Sequence, residues 1–391
     1  MNLFIVPSWY PSRLHPESGS FFRDRAEILQ ADGQRVTVVA AVTHSTRDLF
    51  RFYRVKIARG TTAPQFSVPT ISSETLNPFP CQPRNFFRFY RRQVLRLWER
   101  AVRSQGRPEV VLINSSLWAG AGLAGTLAAA HIPFVVSEHL KEFLLPDGFT
   151  PFQQRMIRET YRQTTRIIAT SPALKDGITR LFPDLAERIT VIPNPVDTEF
   201  FRPGPVKRIP ENSFTFIAIA LLRPEKRIDL LLQALALLEN STVTTRLIVA
   251  GSGPEQVRLQ DMSRRLGLAE RVEFVGYQQP AEIRTLLQRS QALVLPSTVE
   301  TFGVALIEAQ ACGLPVIATR CGGPEAIVLP ETGLLVDCDN IAALAAGMDK
   351  MIAEYTRFRP ELIRASAHQR YGAQAYSDTY RRLLTEISGN K

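Results

Sequence analysis

The stretch ALVLPSTVETFGVALIEAQACGLPVIAT, residues 292–319, reads as strand, loop, helix and strand. The runs ALVLP and PVIAT are too continuously apolar to have a wet face, and a segment with apolar residues at helical spacing (Val304, Leu306, Ile307, Ala309) separates them. Strands of that kind, joined through helices, belong to parallel sheets covered on both faces. The alternation extends over most of the chain. Candidate strands fall at 3–7, 36–42, 110–114, 134–138, 166–171 and 189–194, then at 214–220, 246–251, 272–276, 292–296, 315–319 and 333–337. Between the two sets lies NPVDTEFFRPGPVKRIPENS (194–213), rich in Pro and charge and without periodicity, as an interdomain linker would be. The expectation is an α/β chain of two domains, 1–200 and 201–371, with a last helix at about 372–391 packing back onto the first.

At 391 residues, 45% hydrophobic and 21% charged, the composition is that of a globular protein of two ordinary domains. No apolar run approaches the roughly 18 residues a membrane span needs. The start MNLFIVPSWYP lacks a basic leader and a cleavage site, so it reads as a buried strand. The four cysteines form no CxxC pair, which argues against a disulfide framework or zinc site and fits a cytoplasmic location. A net charge of +10 implies anionic company: nucleic acid, an acidic membrane surface or phosphorylated substrates.

Glu300 and Glu308 stand eight positions apart on either side of a helix start at Phe302–Gly303. The backbone amides of Phe302–Val304 would donate to phosphate oxygens, and Gly303 allows close approach. On a helical wheel Glu308 shares a face with Val304, Ala305, Ala311 and Cys312, all small or apolar. A carboxylate so placed needs hydrogen-bond donors, either the hydroxyls of a ribose or a neighbouring loop. Arg223, Lys226 and Arg227 precede another helix and offer cations to a diphosphate, while GSGPE (251–255) forms a tight glycine loop. Asp337-Cys338-Asp339 has the form of a metal-binding DxD, but it follows a strand, and Asp339 suits the N-cap of a helix beginning near Ile341. No metal and no cofactor is expected.

In order, LLRPEKR, VAGSGPE, VEFVGYQ, PSTVETFGVALIEAQACGLPVIAT, GGPEAIV and TGLLV resemble the donor half of a retaining glycosyltransferase of the GT-B fold, in the family-4 (GT4) group with its E-x7-E signature. The resemblance implies two Rossmann-like domains facing each other across a cleft. It implies that Glu308 binds the ribose and that Glu300 contacts the transferred sugar. Lys226 and the amides of Thr301, Phe302, Gly303 and Val304 would hold the diphosphate. Gly253, Pro254 and Tyr277 would line the base. The family's phosphate-contacting arginine aligns with Leu221 here, and Arg223 would supply that cation from a shifted place.

The first half has no GxGxxG after its first strand, which argues against a dinucleotide dehydrogenase. The family's glycine loop between donor and acceptor corresponds to Ser18 and Gly19 in PESGSFF, and His139, beside Glu138 at a strand end, corresponds to a family histidine that contacts the transferred sugar. The segment 84–107 gathers Arg88, Arg92, Arg96, Arg100, Arg103 and Arg107 on one helical arc, with Phe87, Tyr90, Val94, Leu97 and Ala101 opposite. It reads either as an attraction to anionic lipid or an anionic acceptor, or as the basic outer face of a core helix, and no nucleic-acid motif accompanies it. The implied activity is transfer of a sugar from a UDP- or GDP-sugar to a hydroxyl of a glycan or lipid-linked acceptor at the inner face of a bacterial membrane. The alternatives are a nucleotide-sugar binder without catalysis and a GT-B epimerase or phosphorylase.

Overall fold

The computed structural model describes residues 1–16, 18–49, 67–204, 213–238 and 243–389, which fall into two units. The first (Met1–Thr170, Leu174–Pro195 and Tyr376–Lys391) contains strands β1 (Asn2–Pro7), β2 (Arg35–His44), β3 (Thr70–Leu76), β4 (Val110–Asn114), β5 (Phe134–Glu138), β6 (Arg166–Ala169) and β7 (Ile189–Val191). They pair in parallel in the order β3-β2-β1-β4-β5-β6-β7. Every residue of β1, β4 and β5 is buried, and the pleat sends alternate side chains to two cores. Phe4, Val6, Val111, Ile113 and Val136 meet α2 (Pro83–Gln105), α3 (Ala121–Ala129), α4 (Pro151–Gln163) and α5 (Pro172–Leu181) on one face. Leu3, Ile5, Leu112 and Val135 meet α1 (Ser20–Ala31) on the other. That two-sided burial is why these strands lack polar alternation. Strand β3 escapes the sequence reading because, at the sheet edge, it is half exposed and its TISSETL carries no apolar run.

The second unit (Ser171–Ala173 and Val196–Ala375) contains β8 (Ser213–Ile219), β9 (Thr244–Ala250), β10 (Val272–Gly276), β11 (Ala292–Leu295), β12 (Val316–Thr319) and β13 (Gly333–Val336), all parallel in the order β10-β9-β8-β11-β12-β13. Its helices are α6 (Ile228–Ala236), α7 (Gln256–Arg265), α8 (Pro280–Leu287), α9 (Val304–Ala311), α10 (Ile341–Ala353) and α11 (Pro360–Tyr371). Both sheets therefore run outward in both directions from their first strand, as in a Rossmann fold.

The stretch read as a linker straddles the change of unit at Pro195 and Val196, and its residues 205–212 lie outside the described ones. Its first part is docked rather than loose. Val196 N–H donates to Tyr371 O at 2.9 Å, Phe201 is buried, and Arg364 donates to the carbonyls of Thr198, Phe201 and Ala311. After Gly372 the chain enters α12 (Ala373–Gly389), whose Tyr376, Tyr380, Leu383, Leu384 and Ile387 complete the core around Phe22, Ala26 and Leu29. Among the described residues no helix is long and apolar enough to cross a membrane.

Candidate functional site

In the second sheet β8 and β11 lie side by side where the strand order reverses, and the loops leaving their carboxyl ends diverge there. The β8 loop carries Arg223 and Lys226, and the β11 loop carries Ser297–Gly303. Thr298 ties the two, donating to Glu225 O through its N–H at 2.9 Å and its hydroxyl at 3.3 Å. As a result Lys226 Nζ lies 2.5 Å from Glu300 Oε2, with side chains only 20% and 16% exposed. The cation assigned to the diphosphate and the carboxylate assigned to the sugar thus hold each other, a charge-assisted contact of the short, strong kind.

The backbone of Glu300 is fixed from the β12 side. Its N–H donates to Cys321 O at 3.2 Å, and its carbonyl accepts from Gly323 N–H at 2.7 Å. Gly323 lies so close to Phe302 that a Cβ would fall 2.4 Å from its Cα. Gly323→Ala is expected to push the Phe302–Gly303 turn outward and to cost about 1–3 kcal/mol as overpacking. A thermal melt would show the lower Tm, and a melt as stable as wild type would refute the close packing as a constraint.

Phe302 is buried, its ring 5.9 Å from that of Tyr371 in a T-shaped contact. Gly303, at φ 107, occupies the left-handed region that turns the chain into α9. Like any helix start, α9 leaves its first amides without partners inside the helix. On α9 the residues Leu306, Ile307, Ala309 and Gln310 are buried, while Val304, Ala305 and Glu308 are half-buried, so Glu308 lies on the helix's one accessible face. Burial, and then the Glu308 carboxylate, push the Cys312 thiol up to about 12.

The neighbouring loops continue the row. Gly253 and Pro254 follow β9, and Tyr277, 39% exposed, follows β10. The sequence-predicted donor residues thus share the carboxyl ends of four adjacent strands, β10, β9, β8 and β11. The glycines of VAGSGPE also have a packing reason. A Cβ on Gly251 would fall 1.8 Å from Ala220 O, and one on Gly253 would fall 2.4 Å from Leu222 O, because this loop lies against the β8 loop. Arg223 and Leu221 are both exposed on the β8 loop. Arg227 instead pairs with Asp229 and Asp339. The N-cap of α10 is Asn340, whose side chain accepts from Ala343 N–H at 2.9 Å, and not Asp339. Asp339 adopts φ 54, outside the extended backbone of an N-cap, and is held by Arg227.

In the first unit, the loop after β1 is joined to the one after β4 through Ser8 Oγ, which accepts from the N–H groups of Trp118 and Ala119. Gly19, at φ 72, opens α1, and a Cβ there would meet the Trp9 ring and carbonyl at 3.0 Å, so the position requires glycine on steric grounds. Ser18 precedes it, half-buried. Glu138 and His139, adjacent at the strand end, are engaged on opposite sides of the sheet. Glu138 is fully buried on the α4 face, its Oε1 accepting from Ser116 N–H and Tyr161 OH, and burial raises its carboxyl above the ordinary range.

His139 lies on the α1 side. Its ring sits 5.3 Å from that of Phe21 and 4.9 Å from that of Phe22, and its Nε2 is 3.0 Å from Arg25 Nη1 and 3.1 Å from Ser137 Oγ. Burial, and then the Arg25 charge, hold it well below the usual imidazole range. Sequence reasoning missed Arg25. The available signal was its place on the apolar stripe of α1, among Phe22, Ala26 and Leu29.

Comparison with known proteins gives a consistent picture. Residues 204–369 match the family Glycosyl transferases group 1, and residues 18–200 match Glycosyltransferase Family 4. Glycogen synthase of Mycobacterium tuberculosis is 32% identical over 266 residues, 66% of this chain and 63% of that one. D-inositol 3-phosphate glycosyltransferase of Rhodococcus jostii is 31% identical over 282 residues, 66% of this chain and 62% of that one. The chain therefore spans less than two thirds of the length of these relatives. Among solved structures, Anabaena HepE in complex with UDP superposes with a TM-score of 0.74 at 21% identity, covering 99% of this chain and all of that one. Sucrose-phosphate synthase of Thermosynechococcus elongatus gives 0.77 at 18% identity over the whole of both chains. With two family matches in chain order and two parallel Rossmann-like units like those of solved GT-B enzymes, the chain belongs to the group 1, family-4-type glycosyltransferases.

Proposed function

We propose that this chain is a retaining, metal-independent glycosyltransferase. It moves a sugar from a UDP- or GDP-sugar to a hydroxyl of a glycan or lipid-linked acceptor, in bacterial cell-envelope polysaccharide or glycolipid synthesis. The observation that carries the reading is the Lys226–Glu300 pair at the β8/β11 reversal, followed directly by the start of α9 and Glu308. Glu308 takes the ribose hydroxyls, and Gly253, Pro254 and Tyr277 line the base. Lys226, Arg223 and the amides of Thr301–Val304 take the diphosphate, and Glu300 addresses the sugar. HepE, a fold neighbour solved with UDP and with UDP-glucose, supports a nucleotide-sugar partner.

In the transfer the bond from the anomeric carbon to the diphosphate oxygen breaks, and a bond to the acceptor oxygen forms on the same face. The acceptor proton passes to the departing diphosphate, whose growing charge Lys226 and the helix start stabilise. His139 donates to a sugar hydroxyl, and Ser18 and Gly19 border the acceptor. A nucleotide-sugar binder without catalysis is the second reading, favoured by Leu221 at the arginine position. Release of nucleoside diphosphate decides between them. Purified protein offered a panel of UDP- and GDP-sugars with acceptors should liberate it, and binding with no release under any combination would refute the enzyme.

The basic helix fits peripheral contact with an anionic membrane from the cytoplasmic side. Arg88, Arg91, Arg92, Arg96, Arg100 and Arg103 are exposed along α2, but its apolar face (Tyr90, Val94, Leu97, Trp98, Ala101) is spent on the core. No apolar face remains to insert, so the contact is electrostatic and screened by salt. Co-sedimentation with anionic vesicles should vanish at high ionic strength, and salt-resistant binding would contradict this mode.

A further inference from the structure

Arg25 is 2% exposed, yet among the described residues no carboxylate lies within ion-pair distance of it. Its guanidinium donates through Nε to Tyr376 OH at 2.6 Å, through Nη2 to Tyr380 OH, and through both Nη atoms to Ser137 Oγ at 3.3 Å. The two tyrosine rings of α12 also flank it, their centroids 5.5 and 5.6 Å from Cζ. Its remaining contact is His139 Nε2 at 3.0 Å. A buried charge is normally paired with its opposite, and here neutral acceptors alone offset the desolvation.

A guanidinium keeps its proton and can only donate. Each neighbour must therefore accept, and His139 Nε2 can accept only if it carries no hydrogen. The ring proton then resides on Nδ1. Glu138, next in sequence, does not answer this charge, because it faces the opposite side and is engaged by Ser116 and Tyr161. From α1 the other side chains against the ring are Phe21 and Phe22, and α12 reaches it through Arg25.

We propose that Arg25, clamped by Tyr376 and Tyr380 of α12, is a positioning residue that fixes His139 as the neutral Nδ1–H tautomer, so that the imidazole meets the transferred sugar as a hydrogen-bond donor. The proposal rests on the reading that His139 touches that sugar. It assigns a function to a helix that follows the donor-binding unit in sequence and packs in the first unit.

The test is long-range 1H–15N NMR of the His139 ring in the full chain, as a function of pH, beside kinetics. Wild type should show the Nδ1–H form and no protonation through the neutral range. Arg25→Gln removes the charge that disfavours the imidazolium. His139 should then sample both tautomers and protonate at higher pH. The acid limb of kcat should rise with it, kcat should fall roughly tenfold to a hundredfold, and affinity for free nucleoside diphosphate should be unchanged.

An Nε2–H ring in wild type, or an unchanged tautomer and titration in Arg25→Gln, overturns the proposal. Should Arg25→Gln not fold, the pair Tyr376→Phe and Tyr380→Phe keeps the rings and the charge and removes only the acceptors. A mixed tautomer there supports the clamp, and an unaltered one overturns the part assigned to α12. His139→Ala separates the two layers. If transfer proceeds at the wild-type rate without the imidazole, the sugar contact fails even where the NMR result stands.

Discussion

Lys226→Ala is expected to lower kcat by roughly 10²–10³-fold, the range seen when one preorganised group facing developing charge is removed. The substitution acts twice. Under the proposed function it deletes the cation that faces the leaving diphosphate, and it leaves Glu300, 2.5 Å from Lys226 Nζ, as an unanswered carboxylate beside the same phosphates. The converse change separates these contributions. Glu300→Ala should also abolish transfer, since the sugar loses its contact, yet it frees Lys226 from the pair. Free nucleoside diphosphate should then bind no more weakly and up to roughly fivefold more tightly, given about 1 kcal/mol for a surface-near ion pair. Calorimetric titration of both variants with UDP and GDP checks the opposite signs. A loss of diphosphate affinity in Glu300→Ala would refute the competition.

Glu308→Ala should weaken nucleotide binding about 100-fold or more. A ribose presents two adjacent hydroxyls to one carboxylate, and hydrogen bonds to a charged group contribute about 1.5–3 kcal/mol each. One lost outright and one partly replaced by water amount to about 3 kcal/mol, or roughly two decades in Kd. The proposed base contacts and the cations Arg223 and Lys226 lie on other loops, so Glu308→Gln, which keeps a hydrogen-bonding side chain, should retain more of the affinity than Ala. Titration with the nucleoside diphosphate alone reads this without requiring an acceptor. Equal affinities for wild type and Glu308→Ala would assign the side chain to structure.

The sequence exposed whatever depends on near neighbours. Strands buried on both faces announce themselves as apolar runs, and the helix start between Glu300 and Glu308 follows from a glycine and the residues around it. The half-polar edge strand β3 did not show, because what makes it a strand is its partner β2 rather than its own pattern. Asp339 suited an N-cap by residue type, but Asn340 takes that place while Asp339 pairs with Arg227, a partner far away in sequence. The same holds for the charges. Lys226 and Glu300 each stood out alone, but their pairing spans 74 positions and depends on Thr298 drawing two loops together. Arg25 looked like one more arginine in a basic chain, and its 351-residue reach to Tyr376 is a property of topology alone.

The placement of α12 makes the first unit discontinuous in the chain. Its core around Phe22 and Leu29 is finished by residues synthesised after the whole second unit. A nascent chain that has released the first strands and helices has Ser137 and His139 for the Arg25 guanidinium but still lacks its two tyrosine acceptors, which come only with the helix at 373–389. The first unit is therefore the first begun and the last completed. Expressing it as a fragment ending near residue 200 would remove the very helix that finishes it.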